Sequence, residues 1–263
     1  MPAAYFHSGA LGLAPTPAAC GPWSPDMLHG RLLGGLAARA LESQFGAVGW
    51  RAARLTVDLF RAAPMEPVIV TTALIREGRR IRVADATLRC GGHDVARTTA
   101  VFLAEGAAPI GRIWQPEPWA APHPETIAPR EYPELEGPAP AWQFRIVEGA
   151  FGTGERARVW TRETAPLVDD EPISPFVRAA VSADIASPLA NGSDKGVSYI
   201  NADYTLVMGR YPVGEWVGME TSQHLADTGI ALGACTLYDL DGPFGTSTAT
   251  ALANPPLKLA AGP

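Results

Sequence analysis

Leu88–Ala104 (LRCGGHDVARTTAVFLA) lies on Leu237–Ala253 (LYDLDGPFGTSTATALA) without a gap, and five of the seventeen positions are identical. The match extends backwards, Ile81–Thr87 falling on Ile230–Thr236 at the same offset of 149 residues. In each copy a helical stretch comes first, followed by alternating, strand-like segments in the same order. A fixed internal repeat decides the architecture before any motif is read. The unit is about half of the chain, so two copies make a duplicated domain and not a solenoid.

Outward from the first copy, Leu32, Leu33, Leu36, Ala40 and Leu41 recur at helical spacing up to Gly46. Gly34 and Gly35 inside that helix cost about 1 kcal/mol each relative to Ala, which points to close approach of another backbone. Strand-like runs follow at Arg51–Phe60, Val68–Arg76, Arg79–Cys90 and Asp94–Ala104. In the second copy, strands at Trp142–Glu148 and Arg156–Glu163 precede a helix that Ser174 and Pro175 start and Pro188 ends. Strands then run over Val197–Val207, Glu215–Gln223, Gly229–Asp239 and Phe244–Leu252. One helix and several long antiparallel strands, twice over, predict a curved sheet wrapped on a helix, duplicated.

Between the copies, residues 105–141 carry nine prolines, each of which removes a backbone donor and restricts its predecessor. The expected division is a first unit over 1–106, an extended connector over 107–141 and a second unit over 142–263. Nearly half of the 263 residues are apolar, enough for a sizeable core, and the net charge of −6 without a Lys/Arg cluster argues against nucleic acid or an anionic membrane. No apolar run is long enough to span a bilayer. The N-terminus lacks a basic segment and is broken by Pro15, Pro17 and Pro22, unlike a signal peptide. Cys20, Cys90 and Cys235 form no C-x-x-C pair, which fits a reducing cytoplasm better than a disulfide framework or a zinc site.

The most informative residue is Asp184. Steps of four from Phe176 pass through Ala180 and reach it, so a carboxylate lies on the apolar stripe that faces the sheet. Such a charge is paired, hydrogen-bonded or functional. It could be held at the stripe's edge by backbone amides or Arg178, or it could act as a general base or nucleophile in a cleft. Asn201, Asp203 and Thr205 alternate on one face of the next strand, and Thr246, Thr248 and Thr250 on one face of the last, where a solvated face explains them equally well. No G-x-S-x-G is present and the five histidines have no metal-ligand spacing, so serine-hydrolase and zinc-hydrolase chemistry are disfavoured. The Gly152–Gly154 fragment is no phosphate loop, and His29 reads more readily as an exposed loop residue than as a ligand contact.

In order and spacing, HGRLLGGLAARAL (His29–Leu41), LTVDLFRAAPMEP (Leu55–Pro67), SADIASPL (Ser182–Leu189) and NADYTLVMGRYPVGEW (Asn201–Trp216) resemble the double-hotdog acyl-CoA thioesterases, the thioesterase II family. The resemblance implies an α+β double hotdog in which an Asp on the second helix, a Thr on the next strand and a Gln on the last strand activate water against a thioester. Asp184 matches the first. The second falls on Asn201, and the third on Thr250, or on Ala249 if the strand carries a bulge; neither is a Gln. The first helix offers no matching buried carboxylate, so one site per chain and one degenerate copy are expected. Val101 stands where the second copy has Thr250. The implied substrate is an acyl-CoA whose pantetheine arm threads between the halves, with a backbone N–H at a helix N-terminus and Asn201 facing the oxyanion. No cofactor or metal is implied, and a homo-oligomer is expected. A non-catalytic acyl-CoA binding protein on the same scaffold is the alternative. A hotdog dehydratase is a more distant one, because the helix lacks a histidine paired with the carboxylate.

Overall fold

The turn signals separate the strands where the sequence places them. In the computed structural model, which describes residues 3–115, 119–131, 140–149 and 151–257, the chain begins with a hairpin of β1 (Phe6–Gly9) and β2 (Gly12–Pro15). The first copy follows as α1 (Gly30–Phe45), β3 (Trp50–Leu59), β4 (Ile69–Glu77), β5 (Ile81–Cys90) and β6 (His93–Ala104). The second comprises β7 (Trp142–Glu148), β8 (Arg158–Glu163), α2 (Pro175–Ala183), α3 (Ala186–Ala190), β9 (Gly192–Ser193), β10 (Gly196–Asn201), β11 (Asp203–Met208), β12 (Val217–Asp227), β13 (Ile230–Asp239) and β14 (Gly242–Leu257). The architecture is the α+β double hotdog that the repeat and the resemblance predict.

One antiparallel sheet of twelve strands runs β4-β5-β6-β3-β11-β14-β13-β12-β8-β7, with β10 between β14 and β9. Its middle is symmetric, β3, β6, β5 and β4 mirroring β11, β14, β13 and β12. The repeat offset locates the axis. Thr56 and Thr205, 149 residues apart in sequence, face each other across the β3–β11 seam with their hydroxyl oxygens 3.2 Å apart. Along the sheet, apolar residues such as Leu55, Leu88, Leu206 and Leu237 are buried against the helices, and their neighbours point away from them.

A bulge, also duplicated, breaks the simple alternation. Asn201 pairs with Ala251 but Thr205 with Thr248, so one extra residue, at Ala202, is accommodated between β10 and β11. In the first copy Ala52 pairs with Phe102 but Arg54 with Val101, placing the same irregularity at Ala53, the equivalent position. An inserted residue reverses the face on which the following side chains emerge. Asn201 therefore turns inward towards the helices while Asp203 and Thr205 turn outward, and the shared polar face expected for the three does not form.

The helices pack on each other through α1 and α2. A Cβ on Gly35 would come within 2.5 Å of Val181 Cγ2, and one on Gly34 within 1.7 Å of Tyr204 Oη. The glycines admit two side chains, not another backbone. Pro188 does not end the helical run as expected; it sits inside α3, and its effect falls one turn earlier. Lacking an N–H, it leaves the Asp184 carbonyl without its i+4 donor, that carbonyl accepts from Ser187 N at 3.2 Å instead, and the helix breaks between Ala183 and Ala186. The break turns Asp184 out of a regular helical ladder at the place where the chain changes direction.

The start of the chain ties the copies together. Tyr5 and Phe6 are fully buried and donate their N–H groups to Pro166 O and Leu167 O. In the connector, Trp119 lies over Gly218 between the rings of Trp160 and Tyr238, with centroids 4.7 and 4.6 Å away, and the carbonyls of Ala120 and Pro122 accept from Arg158 and Trp160. Glu125 accepts from Trp216 Nε1 at 2.9 Å. Residues 119–125 of the proline-rich segment thus lie over the outer face of β8, β12 and β13.

Candidate active site

Asp184, Asn201 and the first turn of α1 meet at the centre of the molecule. Asp184 is 6% exposed and caps the C-terminal end of α2. Asn201 Nδ2 donates to Asp184 Oδ1 at 2.8 Å, because the Ala202 bulge turns that amide inward. The other carboxylate oxygen lies over Gly30, 4.0 Å from where a Cβ would stand, at the N1 position of α1. Arg178 plays no part: it donates to the Ile173 carbonyl.

The first N–H groups of a helix have no intrahelical acceptor, and they carry the positive end of its dipole. At α1 the N-cap is His29, whose side chain makes no capping hydrogen bond. The His29 N–H donates to the Ala19 carbonyl and the Leu32 N–H to the His29 carbonyl, so the start of α1 is open, where Asp184 approaches it, at the Gly30 and Arg31 N–H groups. Burial pushes the Asp184 carboxyl above the usual carboxylate range, while the Asn201 hydrogen bond and the Arg31 charge pull it back. His29 is driven well below the usual imidazole value by burial and by Arg31, and so stays neutral at pH 7. Its ring packs edge-on against Trp142, with centroids 5.7 Å apart.

Behind this turn lies a buried polar network that the sequence did not reveal. Arg31 is 1% exposed, its Nη1 donates to Glu163 Oε1 at 2.5 Å and its Nη2 to Tyr5 Oη at 2.9 Å, and its guanidinium carbon stands 4.4 Å from the Trp142 ring centroid. The partners are 132 and 26 residues away along the chain. A buried Arg on the first turn of a helix is a signal that a paired acid exists, but its identity requires the fold.

Thr250 does not join the group. It faces outward on β14, where its N–H donates to Asp203 Oδ1 at 3.0 Å and its hydroxyl to Asp203 Oδ2 at 2.5 Å. The inward side chains of β14 are Ser247, Ala249 and Ala251, of which Ala251 pairs with Asn201 and Ser247 donates to the Ala183 carbonyl at 2.7 Å. The place opposite Asn201 on the last strand is thus held by a methyl group.

In the first copy the matching places are apolar. Ala52 stands for Asn201 and Phe102 for Ala251, both fully buried or nearly so, and the Phe102 ring packs at 6.2 Å against Phe176. As expected, no carboxylate is among the buried residues of α1, although a half-buried one lies near the start of α2: Glu42 Oε2 accepts from Ser174 Oγ at 2.5 Å. Ser174 also caps α2 by accepting from Val177 N, so that helix start is closed where the α1 start is open. The difference between the copies is one of capping as well as of charge.

Among the described residues no group of three or more His, Cys, Asp and Glu could hold a metal ion, and no helix is long and apolar enough to cross a membrane. Burial pushes the Cys235 thiol up to about 12, which leaves it protonated and a poor nucleophile.

The family model of the acyl-CoA thioesterase N-terminal domain matches residues 20–103, and that of the C-terminal domain matches residues 115–253. No curated protein sequence matches the chain. Among solved structures, the TesB protein of Mycobacterium avium subs. paratuberculosis is similar at 19% identity and a TM-score of 0.68, over 92% of this chain and 90% of that one. A hot dog fold protein from Alicyclobacillus acidocaldarius is similar at 16% identity and a TM-score of 0.72, over 92% and 91%. An acyl-CoA thioesterase II from Mycobacterium marinum aligns at 17% identity and a TM-score of 0.63, over 86% and 90%. At these identities the structures support the fold.

Proposed function

The chain belongs to the acyl-CoA thioesterase family, and we propose that it hydrolyses fatty acyl-CoA thioesters to the free acid and CoA with water activated at Asp184. The observation that carries the reading is the meeting of a buried carboxylate with an open helix start. Asn201 holds Oδ1, leaving Oδ2 to orient a water molecule and accept its proton. The thioester carbonyl sits over the first turn of α1, whose N–H groups face the charge that develops on its oxygen as the tetrahedral intermediate forms. Collapse of that intermediate expels the CoA thiolate, which takes up a proton. Burial raises this carboxyl above the usual range, which makes the ionised form a stronger base than an exposed carboxylate.

Ala251 favours a second reading. With no amide opposite Asn201, water has one fewer anchor, and a scaffold that binds acyl-CoA without turnover would look the same. Release of free thiol from acyl-CoAs of graded length, with wild type beside Asp184→Ala, separates the two. Turnover by wild type that Asp184→Ala loses supports hydrolysis. Tight acyl-CoA binding with no thiol release from any substrate supports the binding protein.

A further inference from the structure

We infer that Arg31 is a positioning residue of this site: its guanidinium, locked by Glu163 and Tyr5, fixes the first turn of α1 against Asp184 and supplies the buried positive charge that keeps that carboxylate able to act as a base. The inference rests on the reading of Asp184 as the base. Its geometry is independent of that reading. Arg31 is the N2 residue of α1, next to the Gly30 over which Asp184 Oδ2 lies. Both arms of its fork are engaged, on Glu163 and on Tyr5, whose hydroxyl is also placed 2.7 Å from the Ala141 carbonyl and 2.5 Å from Glu163 Oε2. Through this one side chain the N-terminal segment, α1, β8 and the end of the connector all bear on the turn that faces Asp184.

A buried ion pair adds little stability over apolar residues of the same volume, so its presence here calls for another role. Arg31 is the cation that acts on Asp184: Tyr204 on β11 is held protonated by burial, Asn201 on β10 is uncharged, and the α1 N-cap His29, next in sequence to Gly30, is neutral. Arg31 pulls the Asp184 carboxyl down against the upward push of burial. The fork geometry also matters, because a bidentate arginine holds its turn more rigidly than a single ammonium does.

The test follows the Asp184 titration by carbon-13 NMR on aspartate-labelled protein, assigned with Asp184→Asn, alongside the pH dependence of thiol release. In Arg31→Met/Glu163→Gln, which removes the pair without stranding either charge, both the resonance and the acidic limb of the rate profile are expected to move up by about one pH unit. Titration as in wild type would overturn the inference. Arg31→Lys, which keeps the charge and is expected to fold, should titrate like wild type yet lose about tenfold in kcat with KM nearly unchanged, because the turn is no longer held. An Arg31→Lys enzyme with wild-type kcat would equally overturn it. If Asp184→Asn turns over normally, the reading of the base fails instead, and the NMR titration still reports on Arg31.

Discussion

Gly34→Ala is expected to destabilise the protein although alanine is the better helix former. The substitution adds a Cβ that would stand 1.7 Å from Tyr204 Oη and 2.9 Å from its Cζ, both far inside contact distance. Tyr204 is fully buried and its hydroxyl donates to the Ala180 carbonyl at 3.0 Å, so it has nowhere to go without losing that bond. Leaving a buried donor unsatisfied costs about 1–3 kcal/mol. Forcing extra volume into a packed core costs about 1–3 kcal/mol more. The gain in helix propensity returns about 1 kcal/mol. The net loss is about 3 kcal/mol, a large share of the roughly 5–15 kcal/mol that holds a domain folded. Urea unfolding followed by circular dichroism reads it as a lower midpoint at unchanged slope. On a Tyr204→Phe background the closest overlap is gone, and the same substitution should cost at least about 1 kcal/mol less. Equal costs on the two backgrounds, or a Gly34→Ala protein as stable as wild type, would refute the claim that Gly34 exists to admit the Tyr204 hydroxyl.

Three further outcomes are expected. Asp184→Asn keeps the acceptor for Asn201 and removes a buried charge; because the folded carboxyl titrates above its unfolded value, the folded state binds more protons in that window, and wild-type stability falls as pH rises from about 4 through the raised value. The variant should therefore gain on wild type as pH rises above about 4 in urea unfolding, and a pH-independent difference would contradict the burial argument. Thr250→Val, on the outer face, should keep thiol release within about twofold and lose about 1 kcal/mol with the Asp203 bond; a hundredfold loss of rate would place Thr250 in the site after all. Trp119→Ala should cost about 3 kcal/mol and expose the Trp160 and Tyr238 rings, seen as a red shift in tryptophan emission, whereas unchanged stability would mean the connector merely lies on the sheet.

The duplicated plan was legible because periodicity and turn residues are local, and because the two copies keep one offset from β5–β6 to β13–β14. The same offset identifies Thr56 and Thr205 as the pair on the symmetry axis, once the seam is known. Asp184 was legible too, since a carboxylate on an apolar stripe breaks the pattern that surrounds it. Three things were not. The bulge at Ala202 leaves no turn residue or proline as a mark, yet it decides that Asn201 faces Asp184 and that Asp203 faces Thr250. The open start of α1 depends on what a His29 side chain does not bond, which no sequence shows. Arg31 finds Glu163 across 132 residues, and long-range ion pairs of this kind follow from topology alone.

The central claim is that Asp184, held by Asn201 at the open start of α1, activates the water that hydrolyses the thioester. It is tested most directly by the ratio of kcat between wild type and Asp184→Asn on a saturating acyl-CoA, read as free thiol. A base acting in the transition state contributes about 10²–10⁴-fold, so a fall of at least about a hundredfold in a folded variant is expected, and a ratio within about tenfold would contradict the claim.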